Sequence, residues 1–257
     1  MKVIDHKIVT QVTDKILKTE NLVCLWDFED GSLYSKGRYN YQLLPAGPGS
    51  IDVEKTGPLS GHSVRFEEQQ YCYIPRSDCP GLNIYGKNAQ VTVLALVKRE
   101  PKTLMPDECE AVAGMWLESE KKRQYCLFLN LWIHESANQV CGHISGVGGP
   151  TEGEKWCMDA SIGKTAVLRN EWSWVGFTYD GKLVKSYLNG ELDLREGRNP
   201  YPYTQGIFDG GENGADFTVG AVHRMGEMGN FFKGNMGALA VFDRALDELE
   251  MNNLYSL

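Results

Sequence analysis

The clearest structural signals lie in residues 215–255, ADFTVGAVHRMGEMGNFFKGNMGALAVFDRALDELEMNNLY. The first predicted strand of this stretch runs from Phe217 to Val222, in which Phe217 and Val219 alternate with polar or small residues at the period of a half-buried strand. The next predicted strand, Gly237 to Phe242, places Leu239 and Val241 on one face and Ala238, Ala240 and Phe242 on the other. Because both faces are apolar, we expect this strand to lie centrally, covered above and below. Carboxylates then occupy the first turn of a predicted helix, Leu246 to Leu254, where the helix dipole favours them.

Four further segments show strands, aromatic residues and tight turns: LWDFEDGS (25–32), GHSVRFEEQQYCYIP (61–75), VTVLALVKRE (91–100) and WSWVGFTYDGKLVKSYLNGEL (172–192), the last of which predicts a hairpin over residues 172–188 and a turn at Asn189-Gly190. Together with residues 215–255, and in this order, they resemble the laminin-G-like jelly rolls of the concanavalin A-like lectin/glucanase superfamily. The resemblance implies an all-β fold, an antiparallel jelly-roll β-sandwich with a short N-terminal helix and a short C-terminal helix. A fold does not by itself give a function.

The chain has 257 residues, 42% of them hydrophobic, which is enough for one large sandwich domain. Apolar residues at helical spacing, Ile4, Ile8, Val12 and Ile16, predict a helix over residues 3–18. We therefore predict an N-terminal helical extension, residues 1–20, followed by a single laminin-G-like domain, residues 21–257. The apolar stripe of the extension makes it a candidate contact for a homo-oligomer.

The formal net charge of −8 argues against nucleic-acid binding, because phosphate contacts need clustered Lys and Arg. No apolar run approaches the ~18 residues that span a bilayer. The first residues, MKVIDHKIVTQVTDKILKTE, are charged and lack the apolar segment of a signal peptide. Many laminin-G-like proteins are extracellular, so the cellular compartment stays open at this point.

The seven cysteines are odd in number and include no CxxC pair, which argues against a zinc ribbon and favours a reducing compartment. Cys24, Cys126 and Cys141 lie in apolar strand patterns, and we expect them to be buried as small hydrophobic residues. Cys72 and Cys79 form the one closely spaced pair, and spacing alone does not establish a bond between them.

Three carboxylates lie at the end of the first predicted strand, Leu22 to Phe28, or directly after it. Asp27 and Glu29 are two residues apart, which on one strand face separates them by roughly 6.5–7 Å, and an inverting glycosidase needs ~6.5–9.5 Å. In jelly rolls such carboxylates also commonly face solvent or hold a structural cation, so Asp27, Glu29 and Asp30 are candidate ligands for Ca²⁺. Against calcium, Ala238 follows Gly237 where many relatives have an Asp.

Sugars are bound by aromatic faces and by planar amide, carboxylate and guanidinium groups, and the predicted loops are rich in both. The candidate ligand-binding residues are Tyr39, Trp156, Arg198, Tyr201, Tyr203, Arg224 and Glu227. Loops at one end of a sandwich are the usual place for binding. The structural alternative is that these tyrosines and arginines hold the loops against the sheets.

We therefore predict a glycan-binding, lectin-like module without catalysis of its own, similar to bacterial proteins of this class. The first alternative is a glycoside hydrolase or polysaccharide lyase that uses the carboxylates, or His134 and His143, as acid and base. The second is a protein-interaction or assembly domain. The expected partner is a glycan or oligosaccharide.

Overall fold

Two antiparallel β-sheets pack face to face. The computed structural model describes residues 6–103 and 108–255, and side chains from Val12 onward. The strands are, in chain order, β1 (Leu22–Trp26), β2 (Leu44–Ala46), β3 (Asp52–Glu54), β4 (Ser63–Phe66), β5 (Tyr71–Ile74), β6 (Val91–Arg99), β7 (Glu110–Leu117), β8 (Lys122–Asn130), β9 (Gln139–Ile144), β10 (Ala160–Ala166), β11 (Ser173–Tyr179), β12 (Leu183–Leu188), β13 (Glu191–Leu192), β14 (Tyr201–Pro202), β15 (Phe217–Val219), β16 (Val222–Arg224), β17 (Glu227–Gly229) and β18 (Gly234–Phe242). The helices are α1 (His6–Lys18) and α2 (Glu248–Tyr255).

The first sheet has the spatial order β13-β12-β11-β6-β18-β4-β3, with β1 beside β18 and β14 beside β12. The second sheet has the order β10-β9-β8-β7-β15-β5-β2, and the β16–β17 hairpin is attached to β7. Apart from the parallel pairing of His223 with Leu117, the described strand pairs are antiparallel. The all-β antiparallel sandwich predicted from the sequence is confirmed.

The main hydrophobic core lies between the sheets and is built by alternating residues of both. In β18, Leu239 and Val241 join this core, while Ala240 and Phe242 join a second cluster on the outer face. The prediction that this strand lies centrally is confirmed, because it pairs with β6 along one edge and with β1 and β4 along the other. Such alternation is the period-two pattern of a sheet covered on both faces.

The two helices cover the outer face of the first sheet. Val12 and Ile16 of α1 and Met251 and Leu254 of α2 are buried in the same outer cluster, and Lys15 Nζ donates to the carbonyl of Asn253 at 3.3 Å. Val12 and Ile16 of the predicted apolar stripe are therefore buried within the chain, whereas Ile4 and the side chain of Ile8 lie outside what the structure describes. Assembly through α1 stays a prediction. Neither described helix is long and apolar enough to cross a membrane.

Several predicted boundaries are wrong. We expected the first strand to run to Phe28, but it ends at Trp26 because Phe28 (φ 57°) and Asp30 (φ 53°) adopt left-handed backbone. The predicted strand from Phe217 breaks after Val219, because Gly220 has a φ of +82°. In contrast, the predicted hairpin of residues 172–188 forms as β11 and β12.

All seven cysteines are free thiols. Six are buried and Cys109 is partly buried, as expected for small hydrophobic residues. Burial raises the pKa of the Cys72, Cys79 and Cys109 thiols to about 12. The closely spaced pair Cys72 and Cys79 is therefore not a disulfide in this structure.

Candidate functional site

A pocket of about 130 Å³ lies on the outer face of the second sheet. This face carries an apolar cluster of Ala111, Trp116, Cys126, Phe128, Leu131, Cys141, Cys157, Ala160, Ile162 and Val222. None of these residues belongs to a described helix. The face is bordered instead by loop residues, among them Trp132, Trp156 and Asn230. The pocket lies among these loop residues and the strands beneath them.

Three aromatic rings from adjacent strands form the floor of the pocket. The ring of His143 on β9 lies 4.3 Å from that of Trp116 on β7 and 5.7 Å from that of Phe128 on β8, centroid to centroid. Gly142 explains why His143 faces outward: a Cβ there would lie 2.6 Å from the Cβ of Phe177 in the opposite sheet. The inward position of this strand therefore suits glycine, and the alternation of the strand points its neighbours outward.

His143 is held as a neutral hydrogen-bond acceptor. Its Nε2 lies 3.0 Å from the carbonyl oxygen of Cys157; because a carbonyl only accepts, Nε2 carries the proton and Nδ1 keeps a lone pair. Nδ1 is buried, and among the described residues it has no hydrogen-bond partner. Burial, with a smaller contribution from the nearby Arg123 charge, lowers the pKa of His143 to about 3. An imidazole with this pKa is a poor base at neutral pH.

Charged groups lie beside this aromatic floor. The Arg123 guanidinium lies 5.9 Å from the ring centroid of Trp116, within range of a cation–π contact, and its Nη2 is 4.0 Å from Glu118 Oε2. The indole Nε1 of Trp116 donates to Glu118 Oε1 at 3.1 Å. Arg224, at the end of β16, contributes a second guanidinium to the lining. The pocket thus combines aromatic surface with groups that can bind hydroxyls.

Two tryptophans on loops complete the lining. Trp132 is 50% exposed, and its Nε1 donates to the carbonyl of Glu108 at 2.6 Å. Its φ of 55° is left-handed backbone, which a bulky residue rarely adopts and which is concentrated at functional sites. Trp156 is half-buried, with Lys155 Nζ 4.7 Å from its ring centroid.

The predicted ligand-binding residues do not come together in one place. Trp156 and Arg224 both line the pocket. Glu227 is exposed, and its backbone lies opposite that of Arg224 in the register of the β16–β17 hairpin. Tyr39 lies elsewhere, in a cleft lined also by Tyr85.

The remaining three predicted residues lie near the β10 side of the second sheet, outside the pocket lining. Tyr201 donates its hydroxyl to Asp159 Oδ1 at 3.0 Å. Tyr203 is buried, and its hydroxyl accepts the Gly146 N–H at 2.6 Å. The carbonyl of Arg198 accepts the N–H of Ile162 on β10. These contacts hold loops against the sheets, as the structural alternative describes.

The predicted calcium ligands contact a lysine. Lys36 Nζ lies 2.6 Å from both Asp27 Oδ2 and Glu29 Oε2, and Asp27 is buried. Hydrogen bonding to Lys36 lowers the pKa of Glu29. Within residues 6–103 and 108–255, no group of three or more His, Cys, Asp or Glu side chains is placed to hold a metal ion. Calcium binding by Asp27, Glu29 and Asp30 stays a prediction.

Sequence reasoning missed Trp116, Arg123 and Trp132. One signal was available. Trp116 lies in a strand that is apolar on both faces, and the sequence predicts too few helices to cover the outer faces of two sheets, so part of one outer face has to be covered by something other than a helix. A second was the order Cys-Gly-His at residues 141–143, which places a polar ring outward. His143 was considered only as a possible acid or base.

A family model of the concanavalin A-like lectin/glucanases superfamily matches residues 111–252, more than half of the chain. No curated protein sequence gives a significant match. Among solved structures, domain 4 of AbnA, a GH43 extracellular arabinanase from Geobacillus stearothermophilus, in complex with arabinotriose, has a TM-score of 0.60 and 18% sequence identity. That match covers 92% of this chain and 98% of the other.

A botulinum neurotoxin type C structure is also similar. It comes from work on cell entry through interaction with two ganglioside molecules, and it has a TM-score of 0.58 and 11% identity. The match covers 95% of this chain and 52% of the other, so this chain spans about half the length of that structure. At sequence identities this low, the two matches show a shared fold and nothing finer.

Proposed function

This chain belongs to the concanavalin A-like lectin/glucanase superfamily, and on that premise we propose that it is a lectin-like module that binds a glycan in the pocket of the second sheet. The observation that carries the proposal is the composition of this pocket. Trp116, Trp132 and Trp156 border the same space as Arg123 and Arg224. Ligand sites are typically concave and mostly apolar, with a few placed polar groups.

The chemistry of the lining matches a sugar ring. The C–H faces of a sugar are apolar and pack against indole rings, which bring a large surface at little conformational cost. The hydroxyls need donors and acceptors, which the guanidinium groups and the Glu118 carboxylate provide. Trp132 lies on a loop beside the strands of the sheet, and loops held by such a scaffold commonly carry the binding residues of a protein.

The size of the pocket limits what it accepts. Its volume of about 130 Å³ is below the ~300–1,000 Å³ typical of sites for drug-sized ligands. We therefore propose that it binds one terminal sugar unit, with the rest of the glycan in solvent. The similar AbnA domain in complex with arabinotriose and the neurotoxin that interacts with gangliosides support a saccharide ligand.

The test is a thermal-shift screen of neutral and acidic oligosaccharides, followed by calorimetry of Trp156→Ala and Trp132→Ala. A ligand that binds only the folded state raises the melting temperature. We expect each substitution to weaken binding about tenfold, equivalent to ~1.4 kcal/mol. The matched control is Trp172→Ala, a half-buried tryptophan on the first sheet. Binding that is unchanged in both pocket variants, or no saccharide binding, refutes the proposal.

A further inference from the structure

A second cleft, of about 450 Å³, lies apart from this pocket and shares no lining residue with it. It is formed where the loop after β1, the segment between β5 and β6, and the residue after β18 meet. Its lining includes Arg38, Tyr39, Tyr85, Asn88, Gln90 and Asp243, with Gly81 behind Tyr39. Its volume falls within the ~300–1,000 Å³ range of small-molecule sites.

Two tyrosines give the cleft its aromatic surface. Tyr85 is 51% exposed. Tyr39 stacks on Tyr41 with ring centroids 5.1 Å apart and planes 8° from parallel. A Cβ at Gly81 would lie 2.4 Å from the Tyr39 ring, and the Gly81 N–H donates to the Tyr41 hydroxyl at 2.9 Å. The Tyr39 ring is therefore fixed by its neighbours before any ligand arrives.

The polar groups of the cleft are planar. Arg38 binds Asp243 through both terminal nitrogens, with Nη2 3.1 Å from Oδ1, and this bidentate geometry fixes both groups. Gln90 is exposed, and its Oε1 accepts the N–H of Ala245 at 3.2 Å. Asn88 is exposed beside it. Fixed planar donors and acceptors next to aromatic rings can bind several hydroxyls at once.

We propose that this cleft is a second glycan-binding site, for a neutral oligosaccharide. The opposite charges of Arg38 and Asp243 cancel, so the cleft offers an acidic sugar no net attraction. Its larger volume suits more than one sugar unit. A chain with two sites binds a polysaccharide more tightly than either site does, because the second contact becomes intramolecular.

The experiment is a titration of the ¹⁵N-labelled full chain with neutral trisaccharides, namely arabinotriose, xylotriose, cellotriose and maltotriose, followed by NMR. We expect amide shifts in residues 81–90 and at Arg38 and Tyr39, and a dissociation constant about tenfold higher in Tyr85→Ala. The matched control is Tyr34→Ala, since Tyr34 is 48% exposed but lies outside the cleft.

Two results overturn the proposal: no shift in residues 81–90 with any trisaccharide, or equal dissociation constants for Tyr85→Ala and wild type. The same titration tests the proposed function separately from the second site. In Trp156→Ala the shifts of residues 81–90 persist, whereas those around Trp132 are lost. In wild type, shifts at residues 81–90 without any around Trp132 contradict the proposed function alone, and shifts around Trp132 without any at residues 81–90 contradict only the second site.

Discussion

His143→Gln tests whether the floor of the pocket is held neutral at the expense of stability in acid. The pKa of His143 is lowered from 6.5 to about 3 by burial. Between these values the unfolded chain binds a proton that the folded chain does not. Stability therefore rises with pH across this window, and the contribution is lost as pH falls from 6.5 towards 3.

The magnitude follows from the two pKa values. The difference between 6.5 and about 3, at ~1.36 kcal/mol per pH unit, corresponds to ~4.8 kcal/mol over the whole window. Between pH values of about 7 and 4.5, the same linkage predicts that this one histidine lowers the free energy of unfolding by ~2.5 kcal/mol.

The assay is urea unfolding of wild type and His143→Gln over this pH range. Glutamine does not titrate, and its amide N–H can donate to the Cys157 carbonyl as Nε2 does. We expect the free energy of unfolding of wild type to fall by ~2.5 kcal/mol more than that of the variant. A constant loss from altered packing does not change this difference. Parallel curves for the two proteins refute the reasoning.

Two further predictions concern ion pairs. Arg99→Met is expected to lower the free energy of unfolding in urea by ~3–5 kcal/mol, because it leaves Glu110 buried without its bidentate partner. The control Lys185→Met, from an exposed pair, is expected to lower it by at most ~1 kcal/mol. Equal losses in the two variants contradict this prediction. Lys36→Ala is expected to strengthen calcium binding measured by calorimetry, because its ammonium competes for Asp27. Calcium affinity that is unchanged by this substitution argues against a site at these carboxylates.

The elements that the sequence predicts best are those whose faces are set by local alternation. Leu239 and Ala240 were assigned to opposite faces of one strand, and the structure places them in separate clusters. The Asn189-Gly190 turn was likewise predicted, and both residues have left-handed backbone. Period-two patterns and turn chemistry are local properties, so one sequence is enough to find them.

The candidate site was predicted less well, because its residues meet only through the tertiary fold. Trp116 lies on β7 and His143 on β9, with β8 between them, and their ring contact depends on the pairing of these three strands. Trp132 reaches the pocket through a left-handed backbone that no propensity indicates. The early end of β1 also results from a left-handed backbone, at Phe28. The contact between Lys36 and Asp27 joins two residues whose pairing no sequence pattern indicates.

Because the native thiols are buried, the surface of this protein offers almost no reactive thiol to a cysteine-directed reagent. Cys109 is the one partly exposed cysteine, and burial raises its pKa to about 12, so that it carries very little of the reactive thiolate at neutral pH. A single cysteine introduced at an exposed position would therefore react with a maleimide dye well ahead of the seven native ones. A dye placed beside Tyr85 and another beside Trp132 would report separately on each proposed site without removing any native residue of the core.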